Sequence, residues 1–511
     1  MSEQVNKFAG LQNSVESLRT NGSVPLLFVS SNSIKNRLFE AAHSGKPYAL
    51  IENKDDIFFS EDSIKQLVET TYGRPLNYSS LMAEGKAIST AEIIKQKIEG
   101  QFTVITADSV LLIPNEDGTG YEPFNRDGDM FNQAMLDRIT AAGEVIYGGA
   151  VSVANETGGA YSIQTYAKYP IGRAPKQLPF SFDELQEIYE ESDTARPIEV
   201  GFLKPKLNGE RERIDFAFTP VKQFRPEKAE EAFDFLSGVE AESLKTLENA
   251  SDLNRTIAPL IQDAISTHPF NTFKYVLPET NLRDPDSHFR EGDGLKQGGD
   301  CTFFTDHLIR ELDTRTIPLS AHVVSFDSHK YGVAEAHMGV AVEQNNLLAL
   351  MDGGMSIPHP VIYSRDRAIM PQPYLDGRKQ VFIHSDDAGQ LSLVQLKKNG
   401  ADHVLYAALS KNNGYATRDK FLDLVARVEP LTVKARNWAL AFEAYDRNGI
   451  KKEFFVIDRQ GKVTVKIGDT GQQEFQITEH TNELEPLLAY FGVTLVELQK
   501  AYENWIKITT V

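Results

Sequence analysis

One cysteine, Cys301, stands in a chain of 511 residues, and no other feature restricts the fold as much. No intramolecular disulfide can form, and no zinc site built from several cysteines can exist. Buried apolar surface must therefore hold the fold together. Hydrophobic residues make up 41% of the chain and charged residues 24%, values that exclude wholesale disorder. At roughly 100–200 residues per domain, the length suggests several domains.

The formal net charge of −19 argues against a protein that coats nucleic acid or binds anionic membrane, because phosphate-rich partners need a positive face. A small anion in a local basic pocket stays open. Residues 1–18 are polar and lack an apolar signal core, and no run of about 18 apolar residues occurs. With a single thiol, the expected setting is the reducing cytoplasm.

The best boundary is 219–252, where Thr219-Pro220 and Arg225-Pro226 give way to an acidic, helix-forming run. It predicts a domain over 1–220, a linker and helix over 221–252, and a domain over 253–511. In the first part, strand-like stretches (24–30, 102–113, 144–154) alternate with helical ones (33–42, 90–98, 129–142), the pattern of an α/β sheet domain. The second part opens helical over 233–267. It turns to strands at 321–326, 338–342, 347–351, 380–384 and 454–458, and closes on a helix near 483–490, the pattern of an α+β domain.

Gly298-Gly299-Asp300 precedes Cys301 and supplies a turn and an N-cap. Phe304, Leu308 and Leu312 recur at helical spacing. Cys301 is thus expected in the first turn of a helix, where unpaired N–H groups and the dipole favour a thiolate. The charge of Asp300 opposes this, so a base is needed. His337 and Asp352 are the candidates. They flank two β-rich runs joined by Glu343-Gln344-Asn345-Asn346, a hairpin signal. A turn centred between Gln344 and Asn345 sets the two directly opposite, with Cβ atoms about 4.5–5.5 Å apart. Nucleophile, base and orienting carboxylate then form a catalytic triad. The plainer reading is a buried apolar cysteine, a structural histidine and a turn-forming aspartate.

Five stretches in order carry a resemblance to the arylamine N-acetyltransferase and amide synthase family. They are Thr267-His268-Pro269-Phe270-Asn271, Gly298-Gly299-Asp300-Cys301, Ala336-His337-Met338-Gly339, Leu350-Met351-Asp352-Gly353-Gly354, and Tyr490-Phe491-Gly492-Val493-Thr494-Leu495. The resemblance implies a helical bundle, a β-barrel and an α/β lid around a cysteine-protease-like core. It implies Cys301, His337 and Asp352 as catalytic residues of an acyltransferase working through an acyl-cysteine. The donor would be an acyl-CoA or a thioester on an acyl carrier protein, and the acceptor an amine or hydroxyl. Transglutaminase, deamidase or peptidase chemistry on the same triad is the rival, and a scaffold of two decayed enzyme folds is the second.

The first part more loosely resembles the Maf and inosine-triphosphate pyrophosphatase superfamily of mixed-sheet, nucleotide-binding domains. Ser30-Ser31-Asn32 with Lys35, then Ala83-Glu84-Gly85-Lys86-Ala87, Ala107-Asp108-Ser109 and Val145-Ile146-Tyr147-Gly148 carry this likeness. It implies that Ser30, Asn32, Lys35 and Lys86 contact nucleotide phosphates. Asp108 would work with Mg²⁺ in a nucleoside-triphosphate pyrophosphatase. Leu81-Met82 stand where the pyrophosphatases carry Glu-Asn, and Glu52, Asp55 and Asp56 are the substitute carboxylates at hand. The acidic loop at 284–300 does not have EF-hand spacing, and His307 and His322 are expected to be structural or surface residues.

Overall fold

A computed structural model describes residues 2–19, 24–30, 47–53, 57–73, 77–117, 120–123, 144–170, 198–205, 211–218, 241–277, 292–315, 319–328, 333–366, 369–371, 380–385, 391–396, 402–410, 439–479 and 481–510, with a few single positions between. They form a mixed α/β chain with several sheets. The chain divides into two compact units. Unit 1 is Met1–Asp252 with Arg367–Gln380 and Leu396–Ala401, and unit 2 is Leu253–Asp366, Val381–Gln395 and Asp402–Val511. The later stretches of unit 1 depart from a purely linear division, because strand Ile369–Pro371 pairs with a strand of the first half.

Unit 1 contains α1 (Ser2–Arg19), β1 (Leu26–Ser30), β2 (Tyr48–Glu52), α2 (Glu61–Tyr72), α3 (Tyr78–Lys95), β3 (Thr103–Pro114), β4 (Tyr121–Pro123), β5 (Glu144–Asn155) and β6 (Ala160–Pro170). The strand order is Ile369–Pro371, β6, β5, β3, β1, β2, with β4 attached to β3. β1 lies between two parallel neighbours and is buried at all five positions, which is why it reads as a short unbroken apolar run. The helix expected over 90–98 starts at Tyr78 instead. Its first three turns are buried almost all round (Ser80, Leu81, Met82, Ala83, Glu84, Ala87), so they carry no one-sided apolar period. β7 (Ile198–Pro205) and β8 (Arg211–Phe218) form a separate antiparallel pair.

The next helix, α4 (Ala241–Thr267), begins in unit 1 and ends in unit 2. Then come β9 (Phe270–Asn271), α5 (Cys301–Thr314), β10 (Ser320–Ser328), β11 (Val333–Gln344), β12 (Leu347–Met351) and β13 (Val361–Ser364). A seven-stranded sheet runs β13, β12, β11, β10, then Asp402–Ser410, Leu391–Leu396 and Gln380–Ser385. A five-stranded sheet joins Gln473–Gln476, Lys462–Lys466, Lys451–Asp458, Ala439–Tyr445 and β9. Among the described residues no sheet closes on itself, so the β-barrel that the sequence resemblance implies is not formed there.

The second sheet packs with α6 (Thr481–Tyr490) and α7 (Leu495–Thr510) around Phe273, Phe442, Phe455, Phe491 and Trp505. Phe442 and Phe455 stack at 5.2 Å, and Phe455 meets Phe273 at 5.1 Å. Burying Phe273 anchors the segment after α4, which in turn holds the candidate site. Among the described residues no helix is long and apolar enough to cross a membrane.

Candidate active site

Cys301 is the first residue of α5, and Asp300 is its N-cap. The Asp300 Oδ1 accepts from the Thr302 backbone N–H at 3.0 Å, from the Thr302 hydroxyl at 2.8 Å and from the Tyr275 hydroxyl at 2.7 Å. Three donors on one oxygen fix the carboxylate on the side of Tyr275. The thiol is left at a helix N-terminus, where N–H groups favour negative charge. Phe304, Leu308 and Leu312 are buried, as their spacing predicts.

The segment 269–275 clamps the approach to this helix. Asn271 donates its side-chain N–H groups to the carbonyls of Leu295 and Gln297, each at 2.8 Å. Its backbone N–H bonds Gly299 O at 2.9 Å, and Gly299 N–H returns a bond to Pro269 O at 3.2 Å. Gly298 takes φ +61, and a Cβ there would sit 2.0 Å from Pro269 O, so only glycine fits.

His337 lies on β11, and Asp352 follows the last residue of β12. His337 Nε2 and Asp352 Oδ2 are 2.5 Å apart, and both residues are buried. The other oxygen of Asp352 accepts from the Met355 backbone N–H at 3.1 Å. Both carboxylate oxygens are thereby directed.

The pairing arises differently from the direct opposition expected. Asn345 adopts φ 54, a left-handed conformation that asparagine tolerates, and this tightens the turn to Asn345 and Asn346. Glu343 and Gln344 join the strand, and the register pairs Val340 with Met351 and Gln344 with Leu347. Continued by one step, it sets Gly339, not His337, opposite Asp352. His337 is two residues further along the same face. The imidazole and carboxylate meet as a diagonal pair, a span of about 7–8 Å between backbones that two side chains can bridge. Gly339 carries no side chain to stand between them.

The thiol and the pair are joined through a backbone contact. An ideal Cβ on Gly354 would lie 2.7 Å from Cys301 Cα and 2.8 Å from Cys301 Cβ. The turn that follows Asp352 therefore rests on the residue that carries the thiol. α5 also packs against β11 and against this turn. The structure thus brings Cys301 and the His337–Asp352 pair into one buried corner of unit 2. Asn271, Lys274 and Tyr275 were not singled out as candidates, because no local period marks contacts that span more than 20 residues.

In unit 1, Ser30 is buried at the end of β1, while Asn32, Lys35, Asp55 and Asp56 fall outside the described residues. Lys86 and Asp108 do come together, with Nζ 3.0 Å from Asp108 Oδ2. Nζ also lies 3.1 Å from Glu61 Oε1, a partner with no sequence signal. Burial pushes the Lys86 pKa down, but Asp108 and Glu61 outweigh it and hold the ammonium charged. Asp108 Oδ1 accepts from Ser109 N–H at 2.7 Å. The described residues do not fit the Mg²⁺ ion expected at Asp108. Its carboxylate already meets a cation, Leu81 is fully buried in the core, and no three His, Cys, Asp or Glu side chains gather among the described residues.

Glu84, nearly two turns into α3, is fully buried. Burial raises its pKa well above the ordinary value, against a smaller lowering by the Ser162 hydroxyl bonded to it at 2.5 Å. A carboxyl whose folded pKa is raised adds its full stability below the unfolded pKa of about 4.3, and loses it as pH rises through the folded value. Glu84→Gln is expected to remove that loss. Thermal unfolding across a pH series should show a flatter profile and a higher Tm than wild type on the alkaline side. Parallel profiles for the two proteins would contradict a raised Glu84 pKa.

The fold and the corner together describe a mixed α/β chain that buries its cysteine against the turn that follows a histidine–carboxylate pair. No family model matches the chain, and no curated protein matches it. Solved structures with some likeness include arylamine N-acetyltransferases over about half the chain. The Salmonella typhimurium enzyme is 13% identical with a TM-score of 0.36, over 49% of this chain and 91% of that one. The Nocardia farcinica enzyme is 14% identical with a TM-score of 0.35, over 50% of this chain and 88% of that one. A HAM1 protein from Coxiella burnetii is 12% identical with a TM-score of 0.27, over 44% of this chain and 99% of that one. Likeness of this degree assigns no residue a role.

Proposed function

We propose that unit 2 is a cysteine-dependent acyltransferase with Cys301 as nucleophile, His337 as base and Asp352 as the group that orients it. The observation that carries this is the buried 2.5 Å contact of His337 Nε2 with Asp352 Oδ2, in a turn seated on Cys301. Because Asp352 engages Nε2, Nδ1 is the ring nitrogen that serves the thiol. The sequence resemblance to the arylamine N-acetyltransferases supports a thioester as donor.

The reaction is a double displacement. The thiol proton passes to His337 Nδ1, and the sulfur attacks the thioester carbonyl. The donor carbon–sulfur bond breaks, the imidazolium returns its proton to the leaving thiolate, and the acyl group stays on Cys301. An amine then attacks the acyl carbon and gives a proton to His337. The carbon–sulfur bond to Cys301 breaks, and the proton returns to the cysteine sulfur. Asp352 stabilises the imidazolium in each half. Unit 1 is assigned no metal-dependent phosphoryl step, since Asp108 is committed to Lys86 and Ser109.

Intact-mass spectrometry after incubation with a panel of acyl thioesters tests the reading. Wild type is expected to gain one acyl mass, and Cys301→Ser is expected to gain none that an amine acceptor can discharge. Transfer at the wild-type rate by Cys301→Ala would remove the proposal. Ammonia release from glutamine, or peptide cleavage with no thioester turnover, would move the same three residues to deamidase or peptidase chemistry.

A further inference from the structure

We propose that Lys274 is a positioning residue whose buried positive charge keeps the Cys301 sulfur ionisable near neutral pH. The inference rests on the reading of Cys301 as nucleophile. Lys274 lies on the short 3₁₀ turn Phe273–Val276 and is 2% exposed. Its Nζ donates to Gly298 O at 2.9 Å and sits 5.0 Å from the centre of the Phe303 ring. Gly298 is three residues before the cysteine and Phe303 two after it. The ammonium therefore touches the backbone entering the nucleophile and the first side chain layer leaving it.

This placement answers a difficulty in the sequence itself. Asp300 puts a negative charge directly before the thiol, and a neighbouring carboxylate disfavours a thiolate. Tyr275 and Lys274, adjacent on one turn, divide the task. Tyr275 holds the Asp300 carboxylate at 2.7 Å, and Lys274 brings a cation to the same elbow from the side of Gly298. A cation beside a cysteine lowers its pKa. Among the described residues, the other titratable groups at this elbow are few. His307 and the Asp306–Arg310 pair lie on α5, with the His307 ring 6.3 Å from that of Phe303. His268, at the end of α4, has its ring 5.2 Å from Phe303 and 4.6 Å from His307. His337 and Asp352 approach from the seven-stranded sheet. Of these groups, Lys274 is the basic one bonded to the loop that ends in Cys301.

The single cysteine makes the test direct, because iodoacetamide has one thiol to alkylate. Alkylation rates of the full chain are followed by intact mass across a pH series. Lys274→Gln keeps a donor for the Gly298 carbonyl and removes the charge, Lys274→Met removes both, and Lys274→Arg keeps the charge. Both neutral variants are expected to raise the apparent thiol pKa by about one unit, which slows alkylation about tenfold below that pKa. Lys274→Arg should stay within about twofold of wild type at every pH. A wild-type profile in Lys274→Gln overturns the inference and leaves Lys274 a packing residue. His337→Ala in the same series reports separately on the base. An unaltered profile there means that the nucleophile reading itself has failed, and this inference falls with it.

Discussion

Asp352→Asn is expected to lower acyl transfer by about 10⁴-fold while leaving the fold in place, the size seen when an orienting carboxylate of a triad becomes an amide. The direction follows from the second bond of Asp352. Its Oδ1 accepts from Met355 N–H at 3.1 Å. An asparagine keeps that bond only by turning its oxygen to Met355, which turns its NH₂ group toward His337 Nε2. The imidazole must then accept at Nε2 and carry its proton on Nδ1. That is the nitrogen assigned to receive the thiol proton, and it is now occupied. Turnover falls through the wrong tautomer, so kcat carries the loss and KM for the thioester changes little. Steady-state kinetics with whichever thioester charges the wild type would check this. A kcat within about tenfold of wild type would show that Asp352 does not set the tautomer.

The sequence made α5 legible because its signals are local. Gly298-Gly299-Asp300 and the Phe304, Leu308, Leu312 stripe lie within fifteen residues and speak of one helix start and one buried face. The partnership of His337 with Asp352 was also legible, although its geometry was not. A hairpin register hangs on one backbone angle: with Asn345 left-handed the turn centre moves by one residue, and every partner moves by two, which keeps the faces. The pair survived because imidazole and carboxylate are long enough to meet diagonally across a glycine.

What could not be read is what joins distant segments. Tyr275 and Asp300 are 25 residues apart, as are Lys86 and Glu61. Neither contact follows a period of helix or strand. The start of α3 was lost for the opposite reason, since burial on nearly all sides erases the amphipathic pattern. At Asp108 a short motif names a residue type, and only the fold shows that Lys86 and Ser109 meet its carboxylate.

The second large effect is expected from a single methyl group. Gly354 has no left-handed φ, so alanine would suit its backbone. The obstacle is space alone. The added Cβ would lie 2.7 Å from Cys301 Cα and 2.8 Å from Cys301 Cβ, closer than real Cβ atoms come, and 3.1 Å from Cys301 N, which is tight. None of these atoms belongs to a flexible side-chain end, and the N-cap bonds of Asp300 fix the first turn of α5. The turn after Asp352 must therefore lift. Lifting it pulls on the Met355 N–H bond and swings the carboxylate away from His337. Overpacking of this kind costs about 1–3 kcal/mol of stability. A displacement of about 1 Å between reacting groups costs on the order of 10²-fold in rate. Gly354→Ala should thus lose about a hundredfold or more in kcat for a modest drop in Tm. Measuring both on one preparation separates the two effects, since a merely destabilised enzyme recovers its rate on cooling and a misaligned one does not. Full turnover at low temperature would mean that the turn can retreat without carrying Asp352 along, and that the thiol and its base are held together by something other than this backbone contact.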